Sequence, residues 1–236
     1  MLTRGVESAR ARAASSLDRP AAGLAGQLVL LGVLSWAPGL GAAGWLTGVA
    51  FGVILAGALH HGLHRSGQST LGPANRVTLA RSVLVGAVAA LAVDSLTGSV
   101  SVSLMVTLAG VALLLDAVDG RVARRTRTSS PLGARFDMEV DAFLILALCL
   151  ALARPIGLWV LSIGAMRYAF VVAGRLLPWL NAPLPPRFSR KVVAAVQGIV
   201  LVVVLAEVLP TWLAVTALLV ALALLSWSFG LSLIHI

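Results

Sequence analysis

Apolar residues fall in eight runs along this chain: 21–37, 41–60, 77–94, 98–118, 136–153, 156–177, 192–209 and 211–229. Most approach the ~20 residues that a helix needs to cross about 30 Å of hydrocarbon. None shows the ~10-residue alternating segments of a membrane β-barrel. The pattern predicts an all-α, polytopic bundle of membrane helices. Pro38-Gly39, Arg154-Pro155 and Pro210 mark tight reversals between runs. No internal repeat or low-complexity tract interrupts them.

Composition strengthens this reading. The 236 residues are 59% hydrophobic and only 11% charged, against about 25% charged in soluble domains. The single cysteine, Cys149, lies within an apolar run and excludes an internal disulfide or a Cys-rich zinc site. Residues 1–20 are polar and basic, followed by an apolar run without a clear cleavage site, so they read as a retained cytoplasmic arm.

The net charge of +9 comes from 17 arginines and Lys191. With a cytoplasmic N-terminus, 16 of the 18 basic residues fall in cytoplasmic regions. Arg154 lies outside and Arg167 within a span. This is the positive-inside bias that orients membrane proteins, and it accounts for the charge without nucleic acid. All six tryptophans (Trp36, Trp45, Trp159, Trp179, Trp212 and Trp227) lie near predicted span ends, as an interfacial aromatic belt requires.

Against this background, Asp116–Asp141 is anomalous: it holds five of the nine acidic residues, between the runs VTLAGVALLL and AFLILALCLALA. Asp116 and Asp119 are three apart and Asp137 and Asp141 four apart, so each pair shares a helical face. Pro131 and Gly133 break the segment between them. The expected geometry is two antiparallel helices presenting carboxylate pairs near the cytoplasmic interface. Intramembrane acids are costly and are usually paired or functional. A divalent ion such as Mg²⁺ or Mn²⁺ would relieve their repulsion and bridge to phosphates. Arg121, Arg124, Arg125, Arg127 and Arg135 nearby suit an anionic substrate. The alternative is a solvated loop in which the acids pair with these arginines.

Read in order, Asp116, Asp119-Gly120, Ala123-Arg124, Gly133, Asp137 and Asp141 form D-x2-D-G-x2-A-R-x8-G-x3-D-x3-D. This resembles the signature of the CDP-alcohol phosphotransferase family at every fixed position, over roughly residues 72–230. The resemblance implies a six-span core, here 77–229, preceded by about two extra spans. The corresponding division is a basic arm at 1–20, two spans and a linker at 21–70, and the family domain at 71–236. It also implies transfer of a substituted phosphate from a CDP-linked alcohol to a second alcohol, with release of CMP. By the same resemblance Asp116, Asp119, Asp137 and Asp141 surround a two-metal Mg²⁺ or Mn²⁺ site, with Asp141 as general base. Gly120, Ala123 and Gly133 let the nucleotide approach backbone, Arg124 contacts the diphosphate, and Ser130 lies where a hydroxyl assists binding. The expected partners are a CDP-linked lipid, a small alcohol acceptor, membrane lipids and a second copy in a homodimer. The expected location is a bacterial plasma membrane, with the active site cytoplasmic.

Further residues carry two readings each. GPANRVTLARS resembles the family's entry motif with one extra residue between Pro73 and Asn75, which would put Asn75, Thr78 and Arg81 at the nucleotide lipid. The structural reading is a helix cap and a snorkelling arginine. Arg167, eight residues before Arg175, resembles part of an acceptor-phosphate pair, but Tyr168 stands where relatives carry an acid. Its structural alternative is pairing with Glu139. Arg187, Arg190 and Lys191 would hold an acceptor phosphate or simply touch anionic lipid. His60 and His64 have metal-ligand spacing but no third ligand nearby in sequence. An intramembrane prenyltransferase would carry a further acid after D-x-x-D, where this chain has Arg121 and Val122. A cation transporter would place its site near the midplane.

Overall fold

The computed structural model describes residues 21–36, 40–66, 73–126, 131–176 and 188–234. Among these, eight α-helices and one short 3₁₀ turn account for nearly all of the chain, with no strand. They are α1 (Ala21–Trp36), α2 (Ala42–Ser66), α3 (Pro73–Asp94), α4 (Val102–Thr126), α5 (Pro131–Leu152), α6 (Leu161–Leu176), α7 (Phe188–Leu205) and α8 (Thr211–Ile234). The 3₁₀ turn, Leu158–Val160, leads into α6. The basic arm and the Pro38-Gly39 turn lie outside the described residues.

Each predicted run contains a helix, but the ends differ in an informative way. Helix α4 continues eight residues past the predicted 118, and α5 begins five before the predicted 136. Hydropathy falls where Asp and Arg appear, whereas backbone hydrogen bonding continues through them. The Asp signature is therefore helical on both sides of residues 127–130, and Gly133, expected to break the segment, lies inside α5. Helix α7 stops at Leu205, four residues early, because Glu207 adopts a left-handed φ of 56° and Pro210 follows. Ser101 caps α4, its Oγ accepting the N–H of Leu104 at 3.3 Å.

Ala42–Arg65, Val77–Asp94 and Thr211–Gly230 are long and apolar enough to cross a membrane by themselves; Ala21–Trp36, Val102–Val118, Leu158–Gly174 and Val192–Leu205 are shorter apolar helices. The molecule is an all-α membrane bundle. In such a bundle hydrophobic burial does not distinguish helix from lipid, so close packing of small residues holds the helices together. Helix α3 is the centre: 67% of its span window is buried, against 22% for α2 and 17% for α8. Val85, Ala87, Val88, Ala90 and Ala92 are wholly buried along it, and α2, α4 and α5 pack on it. Gly86 admits the N-terminal hairpin, since a Cβ there would meet Phe51 of α2 and Gln27 of α1, both at 2.6 Å.

The hairpin is also fixed at the far end of α3. Asp94, 5% exposed, accepts the backbone N–H groups of Gly44, at 2.7 Å, and of Gly41. One carboxylate from α3 thereby caps the start of α2. Any side chain at Gly44 would collide with that carboxylate.

Candidate active site

Helices α4 and α5 were expected as two antiparallel helices that each present a carboxylate pair. They pack extensively on α3 and little on each other, so α3 forms the floor of a cleft between them. The signature carboxylates line this cleft. Asp116 projects from α4, and Asp137 and Asp141 project from one face of α5, one turn apart. Each offers an oxygen within 4.8 Å of the others. All three stay partly open to the surroundings, at 38%, 36% and 36% exposure.

The floor supplies a cation. Arg81 of α3, only 1% exposed, places its guanidinium at the point where the three carboxylates meet. Its Nη1 donates to Asp116 Oδ1. Its Nη2 lies 2.7 Å from Asp137 Oδ1 and 3.0 Å from Asp141 Oδ1, and also reaches the Asp137 carbonyl at 3.3 Å. Thr78, one turn earlier, is buried on the same side of α3. Sequence reading gave Arg81 either the nucleotide lipid or a snorkelling role; in the structure it engages these carboxylates. The available signal was a lone arginine inside an apolar span, which requires a counter-charge.

The remaining expected site residues divide by position. Gly120 is half-buried on α4, and Gly133 is half-buried in the first turn of α5. Asp119, Ala123 and Arg124 continue α4 beyond Asp116, Asn75 lies in the first turn of α3, and Arg190 and Lys191 lie in the first turn of α7. The side chains of those six lie outside the described residues, as do Ser130 and Arg187 entirely. Arg167 on α6 is directed away from the cleft: its Nη2 donates to Glu139 Oε1 at 2.6 Å and its Nη1 to Met138 Sδ at 3.5 Å. Two buried amide side chains were not singled out from sequence, Gln27 on α1 and Gln197 on α7. Their side-chain nitrogens find no protein partner.

Among the described residues the cluster is made of carboxylates alone, with no thiol or imidazole. Hard oxygen donors of this kind suit Mg²⁺ or Mn²⁺. The three side chains converge on one positive group, the Arg81 guanidinium.

A family model described as CDP-alcohol phosphatidyltransferase matches residues 72–227. The chain belongs to the CDP-alcohol phosphatidyltransferase family. No curated protein and no solved structure matches the chain. The matched region begins at the residue before α3 and continues into α8, so it contains the whole Arg81–carboxylate cleft; α1 and α2 precede it. A CDP-alcohol phosphatidyltransferase is a transferase of substituted phosphate groups in phospholipid synthesis, and the family is generally divalent-metal dependent.

Proposed function

We propose that the cleft between α4 and α5 transfers a phosphatidyl group from CDP-diacylglycerol to a small polar alcohol and releases CMP. The observation that supports this reading most directly is the meeting of Asp116, Asp137 and Asp141 at one point from two helices. Four carboxylates, counting Asp119 on the next turn of α4, have the charge to bind a pair of Mg²⁺ or Mn²⁺ ions. When bound, the metal supplies Lewis-acid stabilisation of the diphosphate and of the departing phosphate oxygen.

The chain's own residues do the rest. Asp116, Asp119, Asp137 and Asp141 hold the metal. Gly120, Ala123 and Gly133 leave room for the nucleotide against the α4 and α5 backbones, with Arg124 and Ser130 on its polar groups. Asn75 and Thr78 border the nucleotide lipid from α3. The acceptor hydroxyl attacks the lipid-bearing phosphorus, forming one P–O bond as the P–O bond to CMP breaks. Asp141 takes the proton that the hydroxyl loses. Arg187, Arg190 and Lys191 at the head of α7 suit the phosphate of a phosphorylated acceptor. An apolar bundle lets the lipid tails stay in the bilayer while the headgroup reaches the carboxylates. The arginine distribution supports a cytoplasmic position for this end of the bundle.

The test is CMP release by purified protein in lipid micelles. CDP-diacylglycerol and Mg²⁺ or Mn²⁺ are supplied with glycerol 3-phosphate, inositol 1-phosphate, inositol or serine, one at a time. Metal-dependent release with one acceptor fixes the substrate. Release only from CDP-choline or CDP-ethanolamine with diacylglycerol would reverse the donor assignment, and no release from any pairing would refute the reading.

A further inference from the structure

Arg81 sits where the three carboxylates of the proposed metal site converge. Its guanidinium engages Oδ1 of Asp116, of Asp137 and of Asp141, and one nitrogen, Nη2, lies within 3.0 Å of two of them. A metal coordinates carboxylate oxygen at about 2.0–2.2 Å, so an ion on these same oxygens would press against that nitrogen. At 1% exposure, Arg81 has no water into which its charge can withdraw. It either stays beside the ion as a like charge or leaves the oxygens at the expense of three ion pairs. Both routes oppose the metal.

We infer that Arg81 is the resident counter-cation of the cleft, holding the three carboxylates in competition with the divalent ion and so keeping metal binding weak. This rests on the proposed metal site and assigns its regulation. The cluster without the arginine carries three negative charges; with it the net is two. The arginine thus lets the carboxylates gather inside an apolar bundle, and the same contact limits their pull on metal. The negative charge of a bound diphosphate would offset the guanidinium, so metal and nucleotide bind better together than separately.

The opposite role is also chemically familiar: a partner that orients ligating carboxylates strengthens metal binding, and its loss weakens it. The two roles predict opposite signs. The experiment is a Mn²⁺ titration of the full chain in lipid nanodiscs without nucleotide, read from the free-ion electron paramagnetic resonance signal. Wild type is compared with Arg81→Gln and Arg81→Lys, with folding checked by circular dichroism and size exclusion. Arg81→Gln should bind Mn²⁺ at least about tenfold more tightly, as expected when a like charge is removed within a few ångströms. Arg81→Lys, whose compact ammonium spans fewer of the three carboxylates, should fall between the two. If Arg81→Gln does not fold, the lysine variant decides, because affinity equal to or weaker than wild type overturns the inference. Equal or weaker binding by folded Arg81→Gln overturns it likewise. Asp137→Asn separates this from the underlying reading: if wild type binds no Mn²⁺, or binds it no better than Asp137→Asn, the metal site itself is wrong.

Discussion

Asp94 offers a clean separation of what holds the bundle together from what carries out transfer. Its carboxylate accepts two backbone N–H groups from the first turn of α2, and it is almost completely buried. Asp94→Ala would remove both acceptors where little water can replace them. An unpaired buried donor costs about 1–3 kcal/mol, and Gly44 lies in a more buried position than Gly41. The expected loss of stability is therefore about 2–4 kcal/mol. Asp94→Asn keeps one acceptor oxygen and should lose only about 1 kcal/mol. Asp94 and Arg81 are 13 positions apart on α3, or about 20 Å along the axis, so turnover per folded molecule should not change in either variant. The assay pairs thermal unfolding in nanodiscs with CMP release normalised to folded protein. An unchanged unfolding midpoint for Asp94→Ala would refute the capping role. Lost turnover in a fully folded Asp94→Asn protein would refute the independence of the two ends of α3.

Other expectations concern the cleft. Asp116→Asn, Asp119→Asn, Asp137→Asn and Asp141→Asn should each lower transfer by about a thousandfold or more while leaving the protein membrane-inserted; a fully active Asp137→Asn enzyme would exclude the metal-site reading. Glu139→Gln breaks an exposed ion pair with Arg167, worth at most about 1 kcal/mol, so it should leave CMP release within about twofold of wild type. A large loss there would draw Arg167 into the site. Chelation with EDTA should stop CMP release and added Mg²⁺ or Mn²⁺ restore it; release that persists through chelation contradicts metal dependence.

The signature and the helix class were legible in the sequence because both depend on local spacing. Asp137 and Asp141 share a face by four-residue periodicity alone, and the apolar runs mark the spans by length alone. The pairing of Arg167 with Glu139 was also visible as an alternative, since Glu139 lies off the helical face that Asp137 and Asp141 share. The identity of the cleft floor was not legible. Arg81 meets Asp116 across 35 positions and Asp137 across 56, and no local pattern records which helix lies beneath the other two. Asp94 likewise reaches Gly44 across 50 positions. Helix α4 was also predicted too short, because charge lowers hydropathy without ending a helix.

The distance in sequence between Arg81 and its partners has a consequence for how the chain is made. Ribosomes add roughly 5–20 residues per second, so several seconds pass between synthesis of Arg81 and of Asp137. During that interval α3 presents the translocon with an arginine, four residues inside the span Val77–Asp94, that has no counter-charge, a burden below the about 2.5–3.5 kcal/mol of a mid-helix arginine. Lateral release of α3 into lipid is therefore expected to be slower until α4 and α5 have emerged. Glycosylation mapping of nascent chains halted before and after Asp141 would reveal that delay, and Arg81→Leu should abolish it.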